Sequence, residues 1–446
     1  MTVAAFPAWM RALSVRPAPD DASLWREVLA GATTFGAMGY IVVVNPLILA
    51  GTGMDRHVLI VVTALAAMLG SLLMGLMGRL PIALAPGMGS NVVFAQVAAA
   101  SGGVSYGAAL TMVLLGGILF TVFSATRLRE RLVTGFPDAV RIGLQGGIGL
   151  FIATIGLRNG GLLSPSGHLG DLRQPAVLLS GAALLLTPLL MLRRVPAALL
   201  LSILVVTLLG LIVPGPDGHP LTRLPAHPVQ WPPSTTPLLF AFNIHDLLAN
   251  LALALPLAGY FFLSDFFSAT ATLIGVTRRA GLMDAQGNLP NARRAYLADG
   301  LASIVGACIG SPTVAAYVES ATGVESGGRT GLTAIVAGLL FAGTIFFWPV
   351  IGAIPPQATA PALVMVGVLM MDGLRYLRFD RLPDIASAVL ILLLTVTTGN
   401  LIAGLSVGCF AWTLMALAER TRVPPVMWLT DALLALDLGL SALIQH

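Results

Sequence analysis

Apolar segments, most of them long enough to cross a bilayer, follow one another along almost the whole chain. A membrane-spanning helix needs about 20 mostly apolar residues. Hydrophobic residues make up 57% of the sequence and charged residues only 10%, which is unlike a soluble globular domain. We therefore predict an all-α polytopic membrane protein.

The apolar segments form two sets of seven, separated by a Pro-rich stretch that cannot be helical. We predict 14 transmembrane segments arranged as a 7+7 repeat, with spans 3 and 10 discontinuous. The first set lies near 27–50, 57–77, 80–101, 107–126, 138–158, 175–192 and 195–214. The second set lies near 245–276, 291–309, 313–324, 327–348, 357–372, 384–398 and 401–419.

These spans divide the chain into five regions. The C-terminal stretch is apolar but carries Asp431 and Asp437, so an interfacial helix suits it better than a further span. The regions are a cytoplasmic N-terminal segment (1–26), a first repeat (27–214), an extracytoplasmic Pro-rich loop (215–244), a second repeat (245–422) and the C-terminal interfacial helix (423–446).

The basic residues, all of them arginine, give the orientation. If the N-terminus is cytoplasmic, all but four of the 24 arginines lie on the inner side; the exceptions are Arg56, Arg158, Arg173 and Arg223. Such an excess marks the cytoplasmic loops of membrane proteins. We predict a bacterial inner-membrane protein with both termini in the cytoplasm.

The two halves resemble each other in sequence. The stretch L-T-M-V-L-L-G-G-I-L-F at 110–120 matches L-T-A-I-V-A-G-L-L-F at 332–341, and each follows a Pro/Gly-interrupted segment, A-P-G-M-G-S-N at 85–91 and G-S-P-T-V at 310–314. Seven spans reverse the chain direction, so the repeats would have inverted topology. Matching interruptions in such repeats indicate a binding site near the middle of the bilayer.

Glu319 is the most informative residue beside these interruptions. An ionised carboxylate in hydrocarbon is costly unless it is paired or used. Ser311 as N-cap and Pro312 as first helical residue predict a helix over 313–323, about half a bilayer long. Its N-terminus would face Gly87, Gly89 and Asn91 of the other interruption.

Two more acids lie within apolar segments. Asp265 has Ser268 and Thr272 at helical spacing from it, and Asp299 lies in the following span. A buried carboxyl group can be neutral near neutral pH and can exchange a proton with water. Proton coupling is one role for these acids, and structural hydrogen bonds to the broken backbone are the alternative.

Several function classes have no support in the sequence. The two cysteines lie in apolar segments, the six histidines lack metal-ligand spacing, and no nucleophile is paired with a base. No basic stripe suggests nucleic acid. We expect a protein that is not an enzyme and uses no cofactor beyond a coupling ion.

At a finer level the chain resembles the AzgA-like purine permeases, a branch of the nucleobase-cation symporter-2 and nucleobase-ascorbate transporter superfamily. The motifs that carry the resemblance are T-T-F-G-A-M-G-Y-I-V-V-V-N-P (33–46), A-L-A-P-G-M-G-S-N (83–91), G-I-G-L-F-I-A-T-I-G-L (147–157), T-L-I-G-V (272–276), Y-V-E-S-A-T-G-V-E-S-G-G-R-T-G-L-T-A (317–334) and A-I-P-P-Q-A-T-A-P-A-L-V-M-V-G-V-L-M-M (353–371).

The resemblance implies a homodimeric elevator-type transporter that takes up adenine, guanine or hypoxanthine with protons. Spans 1–4 and 8–11 would form a mobile core, and spans 5–7 and 12–14 a gate domain. By resemblance, Glu319 matches the glutamate that binds the base, Asp265 the acid of span 8, and Asn91 the polar residue of the first half-helix.

This sequence departs from the family pattern in places. Ser268 stands where the family has a second acid, Ala315 and Ala316 replace paired threonines, and Pro312 replaces a small polar residue. These departures leave the preferred purine and the coupling ion, proton or sodium, open. Transport of xanthine, uracil or a small anion on the same fold also remains open, as does an uncoupled channel or scaffold.

The candidate residues fall into two groups. The proton-coupling candidates are Asp265, Glu319 and Asp299. The substrate-binding candidates are the acids and half-helix residues with one aromatic side chain for stacking: Glu319, Asp265, Asn91, Ser268, Thr313, Val314, Gly89, Ser90 and Phe266.

Overall fold

The structure is a computed structural model of the chain. It describes residues 12–14, 23–99, 104–126, 137–164, 166–215, 218–284, 288–289, 291–425, 427–428, 430–432 and 434–435, without the side chains of 252, 253, 256 and 402. Most of the predicted N-terminal segment lies outside these residues, as does much of the predicted C-terminal interfacial helix.

The first half of the chain begins with a broken span and contains the first interruption. Its helices and strand are α1 (Leu24–Met38), α2 (Ile41–Leu49), α3 (Arg56–Leu73, continued by a π-helical turn at Met74–Gly78), β1 (Leu84–Pro86), α4 (Met88–Val97), α5 (Tyr106–Ala125), α6 (Asp138–Asn159), α7 (Pro175–Leu192) and α8 (Ala198–Leu209).

The second half repeats the order of long helix, strand, short helix and long helix around its interruption, and it differs from the first half elsewhere. Its elements are α9 (Ile244–Ala249), α10 (Leu251–Arg279), α11 (Ala292–Cys308), β2 (Val314–Ala316), α12 (Ser320–Glu325), α13 (Gly331–Thr344), α14 (Trp348–Gly352), α15 (Pro356–Met370), α16 (Leu382–Thr398) and α17 (Leu401–Ala418). Short 3₁₀ turns lie at Ala50–Thr52, Thr236–Leu238, Ile345–Phe347 and Met371–Tyr376.

The helices are those of a membrane protein. Within the described residues, eight helical segments are long and apolar enough to cross a bilayer, and three shorter apolar helices accompany them. The prediction of a polytopic helical membrane protein is confirmed. The count of 14 spans stays a prediction.

The predicted helix over 313–323 is wrong. Val314–Ala316 is an extended strand, and the helix that follows is the six-residue α12, with Glu319 directly before it. The extended backbone is stabilised by tertiary hydrogen bonds, since the Val314 N–H donates to Ser303 and the Ala316 N–H donates to Asp299. Capping signals in the sequence cannot report such partners.

Helix packing in the two halves follows one scheme. In the first helix group, α1 and α3 of the first half pack against α13. In the same way, α10 and α11 of the second half pack against α5. In a second group, α16 packs against α6 as α7 does against α15, and α16 against α17 as α7 against α8. Contacts between the groups include α4 with α6 and α8 with α1.

A buried carboxylate that the sequence analysis missed joins the first group. Glu27, on the first turn of α1, is 1% exposed. It accepts hydrogen bonds from the backbone N–H groups of Arg329 (2.9 Å) and Thr330 (3.2 Å) and from the Thr333 hydroxyl (2.5 Å). Thr330 is the N-cap of α13, so Glu27 holds the start of that helix.

The other half contains the counterpart of this contact. Asp246, on the first turn of α9, accepts from the backbone N–H of Ser105 (2.8 Å), the N-cap of α5. In each half, therefore, a carboxylate at the start of one helix accepts hydrogen bonds from the start of a helix in the other half. Carboxylates are favourable there because helix N-termini carry unpaired N–H groups and a partial positive charge.

We expect Glu27→Ala to destabilise the protein by about 3 kcal/mol, because three donors at a buried helix start lose their partner. Thermal unfolding in detergent would measure this as a fall of several degrees in Tm. Glu325→Ala is the matched control, since Glu325 is exposed and its 3.5 Å ion pair with Arg279 contributes little. Equal Tm values for the two variants would contradict the role of Glu27.

Candidate functional site

The two interruptions meet as a pair of antiparallel strands. Leu84 lies opposite Ala316, and Pro86 lies opposite Val314. The pairing continues at both ends, where Gly87 N donates to Thr313 O (2.8 Å) and Tyr317 N donates to Ala83 O (3.1 Å). A short helix follows each strand, so α4 and α12 both begin close to this strand pair.

A serine from the preceding helix anchors each strand. Ser71 of α3 donates its hydroxyl to Leu84 O and accepts from Leu84 N, both at 2.9 Å. Ser303 of α11 donates to Val314 O (2.7 Å) and accepts from Val314 N (3.1 Å). These bonds satisfy strand groups that a two-stranded sheet leaves unpaired.

Glu319 lies three residues after β2 and directly before α12. Its Oε1 accepts a hydrogen bond of 2.6 Å from the hydroxyl of Tyr40, which is fully buried at the break between α1 and α2. Glu319 itself is only partly buried, and the preceding Val318 is 56% exposed. One carboxylate oxygen is thus engaged by Tyr40, and the residue as a whole is not fully buried.

Asp265 of α10 contacts the first short helix, α4. It is 5% exposed on α10, and its Oδ1 accepts from the Ser90 hydroxyl of α4 at 2.9 Å. Its Oδ2 is 3.4 Å from the Ser303 hydroxyl. The structure therefore brings together Asp265, Ser90 and the serine that anchors β2.

Asp299 supports the backbone of β2. It is 1% exposed on α11, and its Oδ1 accepts from Ala316 N at 2.9 Å. Its Oδ2 is buried and has no hydrogen-bond partner among the described residues. The proton-coupling role of Asp299 stays a prediction. Its hydrogen bond from Ala316 N is the contact expected of the alternative, a structural role.

Asn91 belongs to a buried polar chain. Its Nδ2 donates to Asn45 Oδ1 at 2.6 Å, and Asn45 Nδ2 donates to Thr63 Oγ1 at 2.9 Å. Both asparagines are fully buried, and Asn91 Oδ1 has no partner in the part of the chain described. The polar end of the first short helix is therefore tied to α2 and α3.

The other predicted substrate-binding residues differ in their surroundings. Ser268 is exposed, whereas Phe266 is fully buried and packs edge-on against Phe120, with 5.8 Å between ring centroids. Val314 fills the space between α3 and α11, and Thr313 is buried beside it. A Cβ at Gly89 would lie 3.2 Å from Ile148 Cγ2 of α6. Substrate contact by these residues stays a prediction.

A small recess lies between α10 and the helices of the second group. Its lining includes Arg141 of α6, Leu405 of α17 and Ser264 of α10. Ser264 Oγ is 3.3 Å from Ser90 Oγ, and Ser90 in turn donates to Asp265. Ser264 and Ser90 connect this recess to Asp265 through side-chain contacts, but Asp265 itself is not among the residues that line it.

Sequence reasoning missed Tyr40 and Asn45, the partners of Glu319 and Asn91. Both lie in the quoted stretch T-T-F-G-A-M-G-Y-I-V-V-V-N-P, where polar side chains interrupt an apolar span. A polar residue inside a transmembrane segment normally has a polar partner, so their presence was the available signal.

Long apolar helices around two broken segments, with carboxylates where the breaks meet, define a membrane transporter and not an enzyme. The sequence matches the family described as "Permease family" (Xan_ur_permease) over residues 26–407. The chain belongs to this permease family, and the predicted membership of the nucleobase-cation symporter-2 group is confirmed.

Curated relatives match along nearly their whole length. The chain is 37% identical over 414 residues to a putative permease of Methanocaldococcus jannaschii (91% of this chain, 92% of the relative). It is 37% identical over 396 residues to the adenine permease AdeQ of Escherichia coli (87% and 86%) and 36% identical over 412 residues to the guanine/hypoxanthine permease PbuO of Bacillus subtilis (90% and 93%).

Solved structures share the fold. The transmembrane domain of a cyanobacterial bicarbonate transporter, BicA, matches with a TM-score of 0.62 at 18% identity, covering 87% of this chain and 97% of that one. The murine anion transporter Slc26a9, in its inward-facing state, matches with a TM-score of 0.60 at 12% identity (94% and 73%). At these identities the likeness concerns the fold alone.

Proposed function

We propose that the protein imports purine nucleobases, namely guanine, hypoxanthine or adenine, by proton symport. The observation that supports this most is Glu319, a partly buried carboxylate beside the paired strands whose Oε1 accepts a hydrogen bond from Tyr40. A purine presents ring N–H donors and ring acceptors, and a carboxylate accepts such N–H groups in strong charge-assisted hydrogen bonds. The relatives named as adenine and guanine/hypoxanthine permeases support the same substrate class.

The mechanism we infer is an elevator motion of a core domain against a gate domain. In this proposal the core comprises predicted spans 1–4 and 8–11 and the gate comprises spans 5–7 and 12–14, and the packing of the helices into two groups supports this division. Paired packing in the two halves, the paired serine anchors and the paired Glu27 and Asp246 contacts support an inverted 7+7 repeat. Gly89, packed closely on Ile148, lies where the two groups would slide.

Asp265 is the acid we assign to proton coupling. It contacts Ser90 of the first short helix and Ser303, the serine that anchors β2. Protonation would neutralise the one charge these hydroxyls stabilise, and would permit movement of the loaded core through an apolar surround. Sodium coupling is the alternative for the same position.

Further proposals concern the whole molecule in its membrane. We infer a homodimer in the bacterial inner membrane with both termini in the cytoplasm. The alternative is that the protein transports xanthine, uracil or a small anion. An anion carrier needs a cation near its site, and neither 83–99 nor 310–325 contains an arginine, which favours a neutral base.

A panel of bases tests the proposal directly. We expect hypoxanthine, guanine or adenine to raise the Tm of the purified protein, because a ligand that binds only the folded state stabilises it. Uracil, xanthine and bicarbonate at the same concentration should raise it much less. Stabilisation by bicarbonate alone, or by none of the purines, would overturn the proposed substrate class.

A further inference from the structure

We propose that Tyr40 is a positioning residue that sets the orientation of the Glu319 carboxylate toward the substrate. This inference rests on the proposed function, in which Glu319 binds the base. Tyr40 is not placed in contact with the substrate itself, because its side chain is fully buried behind the carboxylate. Its effect on binding would act through Glu319.

The contact between the two side chains is short and selective for one oxygen. The Tyr40 hydroxyl donates to Glu319 Oε1 at 2.6 Å, within the range of charge-assisted O–H···O⁻ bonds. Oε2 accepts no hydrogen bond from another described side chain. With Oε1 engaged, Oε2 is the oxygen that we infer to accept from the substrate.

The short helix that follows Glu319 cannot fix the carboxylate by itself. α12 has only six residues, and helices this short are marginal without tertiary contacts. The Ser320 hydroxyl accepts from Ala83 N at 3.0 Å, which holds the backbone beside Glu319. The Glu319 backbone N–H also contacts its own carboxylate, but Tyr40 is the one described side chain that donates to it, so we infer that Tyr40 selects the orientation.

The segment that contains Tyr40 is held in place by further hydrogen bonds. Five residues after Tyr40, Asn45 bonds both Asn91 of α4 and Thr63 of α3. One stretch of the first span thus touches the side chains at the polar ends of both short helices. Because Tyr40 and Asn45 belong to the same buried segment, that segment can keep Glu319 in a constant position relative to α4.

Tyr40→Phe removes the hydroxyl and keeps the ring, so it isolates this effect. We expect the Kd for labelled hypoxanthine to rise about tenfold. The KM for uptake should rise similarly, while the maximal rate per folded molecule stays within about twofold, since only positioning of a binding group is lost. Equilibrium binding and proteoliposome uptake with the full-length protein would measure both.

Tyr106→Phe is the matched control. Tyr106 is also a buried tyrosine, and its hydroxyl donates to a backbone oxygen, Gly310 O, at 2.8 Å. Both variants should lower Tm by a comparable amount, but Tyr106→Phe should leave Kd within twofold. If the two variants raise Kd equally, or if Tyr40→Phe leaves Kd unchanged, Tyr40 is a structural residue only.

A measurement without ligand separates this inference from the proposed function. The carboxylate stretching band of Glu319, identified as the infrared band missing in Glu319→Gln, should shift in Tyr40→Phe and stay in place in Tyr106→Phe. An unshifted band contradicts the positioning role. Failure of the wild-type protein to bind any base would instead refute the proposed function, and the infrared result would still decide whether Tyr40 orients Glu319.

Discussion

Replacing Glu319 with glutamine is expected to abolish nucleobase binding and leave the protein folded. The amide keeps an oxygen that can accept from Tyr40, but it turns an NH₂ group toward the N–H donors of the base. Replacing a hydrogen bond to a charged oxygen by two facing N–H donors costs about 3 kcal/mol, which corresponds to about a 100-fold rise in Kd. Equilibrium binding of labelled hypoxanthine to purified protein would measure it.

Glu325→Gln provides the control for this experiment. Glu325 is the last residue of the same short helix, and it is exposed and paired with Arg279. Its neutralisation should change Kd by less than about twofold, because surface pairs contribute little. If Glu319→Gln binds hypoxanthine as well as Glu325→Gln does, the substrate does not meet this carboxylate.

Asp265→Asn is expected to separate substrate exchange from accumulation. Asparagine keeps an oxygen that accepts from Ser90, so the local structure should persist, but its side chain cannot take up or release a proton. Proteoliposomes should still exchange internal for external hypoxanthine. Accumulation driven by an imposed pH gradient should fall more than about tenfold, to the level seen without a gradient.

The matched variant is Asp372→Asn, which neutralises an exposed acid paired with Arg375 at 2.7 Å. It should accumulate hypoxanthine as the wild type does. Normal accumulation by Asp265→Asn under the same pH gradient would show that this acid does not couple transport to protons. Loss of exchange together with accumulation would show that Asp265 serves binding or structure instead.

Much of the organisation was open to prediction because bilayers constrain sequences strongly. Every backbone group in hydrocarbon must be hydrogen-bonded, so long apolar segments must be helices, and Pro and Gly mark where helices break. The interruptions at 85–91 and 310–314 were predicted on this basis, and the structure pairs them as strands. Glu319 and Asp265 were singled out because acids are rare in apolar spans.

The errors arose where local signals competed with distant partners. Ser311 and Pro312 have the pattern of a helix start, but Ser303 and Asp299 from α11 pair with the N–H groups of Val314 and Ala316 and keep them extended. Glu27 was passed over because it lies near a chain terminus, where an acid is normally solvated. Its burial depends on donors more than 300 positions away in sequence, at the start of α13.

The sequence by itself determined that the chain is a polytopic helical membrane protein with two broken segments and a few acids inside the apolar region. Hydropathy and helix-breaking residues are local properties, and the bilayer converts them directly into spans and breaks. Only the tertiary structure decided which oxygen of Glu319 is engaged, that Tyr40 engages it, and that Asp265 meets Ser90. Those contacts join residues 279 and 175 positions apart, and such pairings depend on how the helices pack, which no local pattern encodes.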